Sequence, residues 1–292
     1  MKIFIFTVFF ICFSTIVCSE ELQTIGNEIE EEYYKLFLRK SAILLDKNEI
    51  SIDFTLSYLN NLEQIFLSDY IVNRSLSLET AFQVGLHERF EAFIVLPLVW
   101  SKEVFRSEAT YDKNTNFSIG DVNIGTKILL LHESEINPDL VYSIGVGFPT
   151  GKNPYTNNIG TGSGNWVISM GFNAIKSCDP SIIFAGIAGT YALANSFESI
   201  KYQPGWTIGY NIGLGLAFND KVTLSFKSIG SYQYRSSVDN KDLINSVREP
   251  ASIQLGFTYN ITNKLIFEYS QTIGLNEDAN DTYSEFTISK KF

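Results

Sequence analysis

From Glu49 onward the sequence repeats every two residues, and one of the two faces this builds is continuously apolar. Ile50, Ile52, Phe54, Leu56 and Tyr58 alternate with Ser51, Asp53, Thr55 and Ser57. Trp206, Ile208, Tyr210, Ile212, Leu214, Leu216 and Phe218 alternate with Thr207, Gly209, Asn211, Gly213, Gly215, Ala217 and Asn219. Ile253, Leu255, Phe257, Tyr259 and Ile261 alternate with Gln254, Gly256, Thr258 and Asn260. Successive side chains of a strand point to opposite faces, so each segment reads as a strand with one apolar face and one polar or glycine face. In a membrane barrel the apolar face meets lipid and the other face lines the interior.

Composition narrows the choice. Charged residues make up 18% of the 292 residues, hydrophobic ones 45% and aromatic ones 14%, whereas soluble domains carry about 25% charged residues. The formal net charge of −10 speaks against a nucleic-acid partner, which calls for a basic face. No segment beyond the amino terminus has the roughly 20 apolar residues of a spanning helix. A chain that enters the membrane with strands alone must close its sheet, because open edges are too costly in lipid.

Twelve strands are expected, at 49–59, 76–86, 89–100, 119–131, 139–148, 164–175, 181–193, 205–218, 221–234, 250–261, 264–275 and 283–292. The links between them alternate. Short turns fall at His87–Glu88, His132–Pro138, Lys176–Pro180, Asn219–Asp220 and Thr262–Asn263. Long links fall at Asn60–Ser75, Ser101–Ser118, Pro149–Ser163, Ala194–Pro204, Arg235–Glu249 and Asn276–Thr282, and Ile65–Val72 within the first of these is able to extend the hairpin. Outer-membrane barrels have short periplasmic turns, long outer loops and an even strand number. The expectation is therefore an all-β, twelve-stranded antiparallel transmembrane β-barrel over residues 49–292, with both termini periplasmic.

Residues 1–19 read as a signal peptide: Lys2, an apolar run Ile3–Val17, then the small Ser19. Its removal takes away one positive charge, from −10 to −11. Val17 before Cys18 departs from a lipoprotein signal, which places a small residue there. Cys178 would be the one cysteine left, with no disulfide partner in the mature chain. Residues 20–48 read as a short periplasmic helix or plug, with Ile25, Ile29, Leu36 and Phe37 near helical spacing among Glu28, Glu30, Glu31 and Glu32.

Several motifs carry a likeness to a known family. Gly120-Asp121-Val122-Asn123-Ile124-Gly125-Thr126-Lys127 resembles the GD-x-x-x-G-x-K strand of the MetA-pathway of phenol degradation proteins, a family of outer-membrane transporters. Phe148-Pro149-Thr150-Gly151-Lys152 is similar to that family's PTG loop, and Gly160-Thr161-Gly162-Ser163 to its GTGS element. Ile273–Asp281 resembles its closing loop, with Asn280 in place of the usual proline and Asn276 in place of threonine. Ala42–Leu45 is similar to its apolar lead-in, so the likeness runs from about Ser41 to Phe292. It implies an outer-membrane barrel passing small, hydrophobic or aromatic molecules, and brings no catalytic residues.

Other chemistry is weakly supported. Gly147–Asn153 has three residues between its glycines and Asn153 after its lysine, whereas a phosphate loop needs four and then Ser or Thr. Gly160, Gly162 and Gly164 lack the strand–turn–helix setting of a dinucleotide site. Asp112, Asn114, Asn116 and Ser118 begin like a calcium loop, but Phe117 and Asn123 stand where Gly and Glu are required. Glu277, Asp278 and Asp281 form an acidic group that solvates an outer loop. His87 and His132, the only histidines, fall in turns with no nucleophile in reach by spacing. No catalytic, cofactor or metal site is expected.

The expected lumen-facing polar residues are Asp53, Glu79, Gln83, Lys127, Asn173, Asn211 and Glu268. Inward glycines such as Gly125, Gly171, Gly209, Gly213, Gly215 and Gly256 would leave space or receive a plug. Phe292 ends a strand carrying Phe286 and Ile288 on one face, which looks like the terminal signal read by barrel-assembly machinery. The expected surroundings are outer-membrane lipids and lipopolysaccharide. The expected role is passive uptake of a small solute; the alternative is a structural or surface-binding barrel with a blocked lumen.

Overall fold

The computed structural model describes residues 44–64, 70–107, 110–154, 159–178, 181–197 and 200–292. Its strands, in chain order, are β1 (Ile50–Gln64), β2 (Tyr70–His87), β3 (Phe90–Arg106), β4 (Tyr111–Ile119), β5 (Val122–Leu131), β6 (Asp139–Phe148), β7 (Val167–Cys178), β8 (Ser181–Ala192), β9 (Asn195–Phe197), β10 (Ile200–Gln203), β11 (Thr207–Asn219), β12 (Val222–Gln233), β13 (Ser237–Val238), β14 (Lys241–Asp242), β15 (Ala251–Thr262), β16 (Leu265–Gly274) and β17 (Thr282–Lys291). All pair antiparallel with their neighbours.

The sheet closes on itself. β4 and β5 are successive halves of one wall strand, both against β3, so the wall has twelve strands. β1 joins β17 from Ser51↔Lys291 to Asn60↔Thr282, and Phe292 N–H donates to the Ile50 carbonyl at 2.9 Å. Closure leaves no edge in the spanning region, which a lipid-facing sheet requires.

Burial is inverted relative to a soluble protein. Ser51, Asp53, Thr55, Ser57, Gln83, Thr258, Thr287 and Ser289 are buried, while Phe54, Leu56, Phe82, Leu98, Phe226, Leu255 and Ile288 are exposed. Cross-strand register puts the buried set on one face and the exposed set on the other, for example Asp53↔Ser289 inside and Phe54↔Ile288 outside. Aromatic pairs add to the outer wall: Tyr142–Phe172 at 5.0 Å and Tyr269–Phe286 at 4.6 Å. At the long-loop rim Trp206 stacks on Tyr234 at 5.4 Å.

The expected twelve-strand closed barrel is therefore present, with corrections at its long-loop rim. Asn60–Ser75 and Ser101–Ser118 are largely strand, since β1–β2 pairing continues to Gln64↔Tyr70 and β3–β4 pairing to Arg106↔Tyr111. The alternation of apolar residues fades there because the wall has passed beyond lipid, while main-chain pairing goes on. β7 runs to Cys178, where a turn was expected from Lys176. Two small hairpins, β9–β10 and β13–β14, occupy the Ala194–Pro204 and Arg235–Glu249 links. The second turns through Asp239 and Asn240, both at positive φ, the geometry of a tight two-residue hairpin turn.

The amino-terminal helix and the signal peptide lie outside the described residues, apart from 44–48, which are not helical. Among the described residues no helix is long and apolar enough to cross a membrane. Cys178 closes β7 at the short-turn rim.

Candidate transport lumen

Register assigns the interior. Asp53, Glu79, Gln83, Lys127, Asn173, Asn211 and Glu268 all fall on the face opposite the exposed apolar side chains. They do not form one site. Asp53 accepts from Gln83 Nε2 at 2.6 Å and from Ser51 Oγ at 3.0 Å. Glu79 stands between Thr55 of β1 and Pro97 of β3. Glu268 stands between Thr258 and Thr287. Asn173 and Asn211 approach Gly186 from either side; a Cβ there would meet both amides. A larger residue at Gly186 would have no room between them.

Lys127 belongs to a second group that the expected set leaves incomplete. Its Nζ lies 2.9 Å from Glu91 Oε1, with Glu91 fully buried. Glu91 Oε2 accepts the Leu45 N–H at 2.9 Å. Gly85, the register partner of Glu91, has its N–H bonded to Glu49 O at 3.0 Å, and its carbonyl receives Asn48 N–H at 2.7 Å. A Cβ on Gly85 would run into the Asp46 carbonyl. Residues 44–49 thus lie across the inner face of β2 and β3 at the short-turn rim. Leu45 is buried there. The buried residues Leu129, Val141, Ile175, Ile182, Phe184 and Ile266 also face inward by register toward the same end. Glu91 has the inward parity of its register partner Lys127, but nothing in the sequence ties it to Leu45.

The inward glycines are partly filled by neighbours. A Cβ on Gly125 would strike the Phe93 ring, and one on Gly213 the Phe184 ring. These phenylalanines lie over glycine hollows on the adjoining strands. β3 is apolar on both faces: Phe93, Val95, Pro97 and Val99 face inward while Ile94, Leu96 and Leu98 face outward; β8 shares this, with Ile182, Phe184 and Ala188 inward and Ile183, Ala185 and Ile187 outward. An apolar luminal track therefore lies on β3, two strands along the sheet from the polar inner face of β1.

Pro97 also marks a defect in the wall. It has no N–H to give the ladder, and its carbonyl takes Gly120 N–H at 2.8 Å. Beside it the β4–β5 strand breaks. Leu98 pairs Ile119 but Val95 pairs Asn123, so three steps on β3 match four on its neighbour. One extra residue is accommodated as a bulge.

The β6–β7 loop is tied down at this break. Asp121 Oδ1 accepts Gly151 N–H at 3.0 Å and Oδ2 accepts Ser163 N–H at 2.6 Å. Thr150 Oγ1 donates to Gly120 O at 2.7 Å and accepts Val122 N–H at 3.0 Å. Thr161 Oγ1 donates to Ile119 O at 2.9 Å and accepts Lys152 N–H at 3.0 Å. Lys152 Nζ donates to Asn116 Oδ1 at 2.7 Å. Gly162 needs to be glycine, because a Cβ would collide with the Asp121 carboxylate. The Thr161 carbonyl sits on the same side of Gly120 as Pro97 and Val99, which is the luminal side.

The family described as "Putative MetA-pathway of phenol degradation" matches residues 68–292. The chain belongs to this family. Three of the motifs that carry the likeness to the MetA-pathway family, at Gly120-Asp121, Pro149–Gly151 and Gly160–Ser163, meet in the one loop anchor just described. Among solved structures, an outer-membrane channel from Pseudomonas putida F1 is similar, with a TM-score of 0.69 at 10% identity over 93% of this chain and 100% of that one. The transport unit of the autotransporter AIDA-I from Escherichia coli gives 0.51 at 10% identity over 90% and 98%. At such identities the likeness is one of fold, an outer-membrane barrel.

His87 and His132 both stand at the short-turn rim, His132 beside Asp139 at 3.8 Å. Asp112, Asn114 and Asn116 lie on β4, where Asn116 Nδ2 donates to Ile159 O at 2.7 Å. No group of three His, Cys, Asp or Glu able to hold a metal occurs among the described residues.

Proposed function

We propose that this MetA-pathway family barrel passively admits small hydrophobic or aromatic molecules across the outer membrane. The observation that carries the reading is the apolar luminal track Phe93, Val95, Pro97 and Val99. A wall strand of a wet pore alternates apolar outside with polar inside. An apolar inner face in contact with water is unfavourable by roughly 25 cal/mol per Å², so its presence supports an apolar cargo. Asp53, Glu79, Gln83, Lys127, Asn173, Asn211 and Glu268 supply the polar remainder of the lumen and order its water.

The orientation in this reading puts the short turns and both termini in the periplasm, after removal of residues 1–19. Residues 20–48 then act as a periplasmic plug, a role supported by Leu45–Glu49 on the inner wall. The cargo would be gathered at the long-loop rim and released past that plug. The carboxyl-terminal Phe292, 56% exposed on the outer face, serves barrel assembly. The role needs no catalytic group.

Purified protein in liposomes tests the function. Uptake that depends on solute size and hydrophobicity is expected. Absence of any such flux, with and without residues 20–48, overturns transport and favours a blocked, surface-binding barrel.

A further inference from the structure

The outer face of β1–β4 is layered by level. Ile119, Leu98, Leu78 and Leu56 share one row across the four strands. The next row toward the long-loop rim is Phe117, Trp100, Leu76 and Tyr58. Above it come Thr115, Lys102, Arg74 and Asn60. Two rows further on, Tyr111, Arg106 and Tyr70 align, and Lys113 lies between at the level of Val104 and Val72. The order is aliphatic, aromatic, then cationic, the sequence met on leaving a bilayer.

Four cations, Arg74, Lys102, Arg106 and Lys113, thus occupy one outward face on a chain of net charge −10. No acidic residue occurs on this face in these rows; Glu103 and Asp112 have the opposite parity. None of the four cations takes part in an ion pair recorded among the described residues. Arg74 Nε donates to Asn60 Oδ1 at 3.0 Å, and Arg106 donates to Tyr70 Oη at 3.2 Å. Both bonds fix the guanidinium groups without neutralising them. Asp281, on the adjoining loop, accepts the Leu62 amide at 2.8 Å. Arg74 and Lys102 are direct cross-strand partners, and like charges so placed repel. An external anion would remove that cost.

We propose that this face is a binding site for the phosphorylated headgroup of lipid A. The aliphatic and aromatic rows below would take its acyl chains. Arg74 and Lys102, one row above the aromatic level, would contact its phosphates, with Lys113 and Arg106 reaching the sugars and core phosphates beyond. The proposal rests on the reading that the long-loop rim faces outward.

Bis-phosphorylated lipid A titrated into the detergent-purified full chain tests it, with binding followed by the thermal midpoint and by native mass spectrometry. Wild type is expected to bind and gain stability. Arg74→Gln with Lys102→Gln is expected to weaken binding roughly 30-fold, two charges at about fivefold each near an anionic surface. Heat-modifiable gel mobility reports whether the variant barrel is folded, and Arg235→Gln with Arg248→Gln is a control expected to bind as wild type. Undiminished affinity in the Arg74 and Lys102 variant overturns the site. So does equal binding of dephosphorylated lipid A, while an equal effect of inorganic phosphate reassigns it to a free anion. Lipid A binding without solute flux overturns transport and leaves this site standing. An impermeant maleimide should label Lys113→Cys on intact cells; failure to label it overturns the orientation on which the site depends.

Discussion

Asp121 spends both carboxylate oxygens on backbone amides of a loop 30 and 42 residues away. Hydrogen bonds to a charged group contribute about 1.5–3 kcal/mol each, so Asp121→Ala is expected to free the β6–β7 loop. Limited proteolysis should then cut within 149–166 while the barrel keeps its heat-modifiable mobility. Gly162→Ala should do the same by pushing the carboxylate away, and the two changes together should add little to either alone. A second residue-level expectation concerns the buried Glu91–Lys127 pair. Lys127→Met alone leaves Glu91 uncompensated and should cost about 3–5 kcal/mol, whereas Glu91→Gln with Lys127→Met should recover most of it; urea unfolding in detergent compares them. The sequence displayed Asp121, Thr150 and Gly162 as motif residues but could not say that they meet. Periodicity reports which face a side chain occupies, not which distant loop folds onto it. Glu91 shows the same gap, since its partner Leu45 lies in a segment without strand periodicity.

At the scale of elements, alternation found every wall strand because lipid demands an apolar residue at every second position. It ended too early on β1, β2 and β3, where Arg74, Lys102 and Arg106 replace aliphatic residues on the outer face. It missed β4, whose Tyr111, Lys113, Thr115 and Phe117 face outward with too few apolar residues to register. The luminal polar set followed from parity alone, so its members could be named but not grouped. The amino-terminal segment is the element most open to test. Residues 44–49 cross the inner wall at Gly85, so deletion of residues 20–48 is expected to raise single-channel conductance severalfold in planar bilayers. Gly85→Ala, which displaces the Asp46 carbonyl, should give a smaller rise. Unchanged conductance in both would remove the plug from the account.

For the whole molecule, closure is what lets a low-charge chain without a spanning helix be stable in a membrane. Its polar side chains are buried, its apolar ones face outward, and every spanning strand has two neighbours. Within that frame β3 also carries apolar residues on its inner face, and the proposed function depends on it. The most direct measurement is the ratio of fluxes through proteoliposomes for a monoaromatic solute and a sugar of similar size. Wild type should favour the aromatic solute, and Val95→Asn with Val99→Asn should lower aromatic flux about tenfold while sparing the sugar. Equal selectivity in the wild type and the variant would contradict a lumen built for apolar cargo.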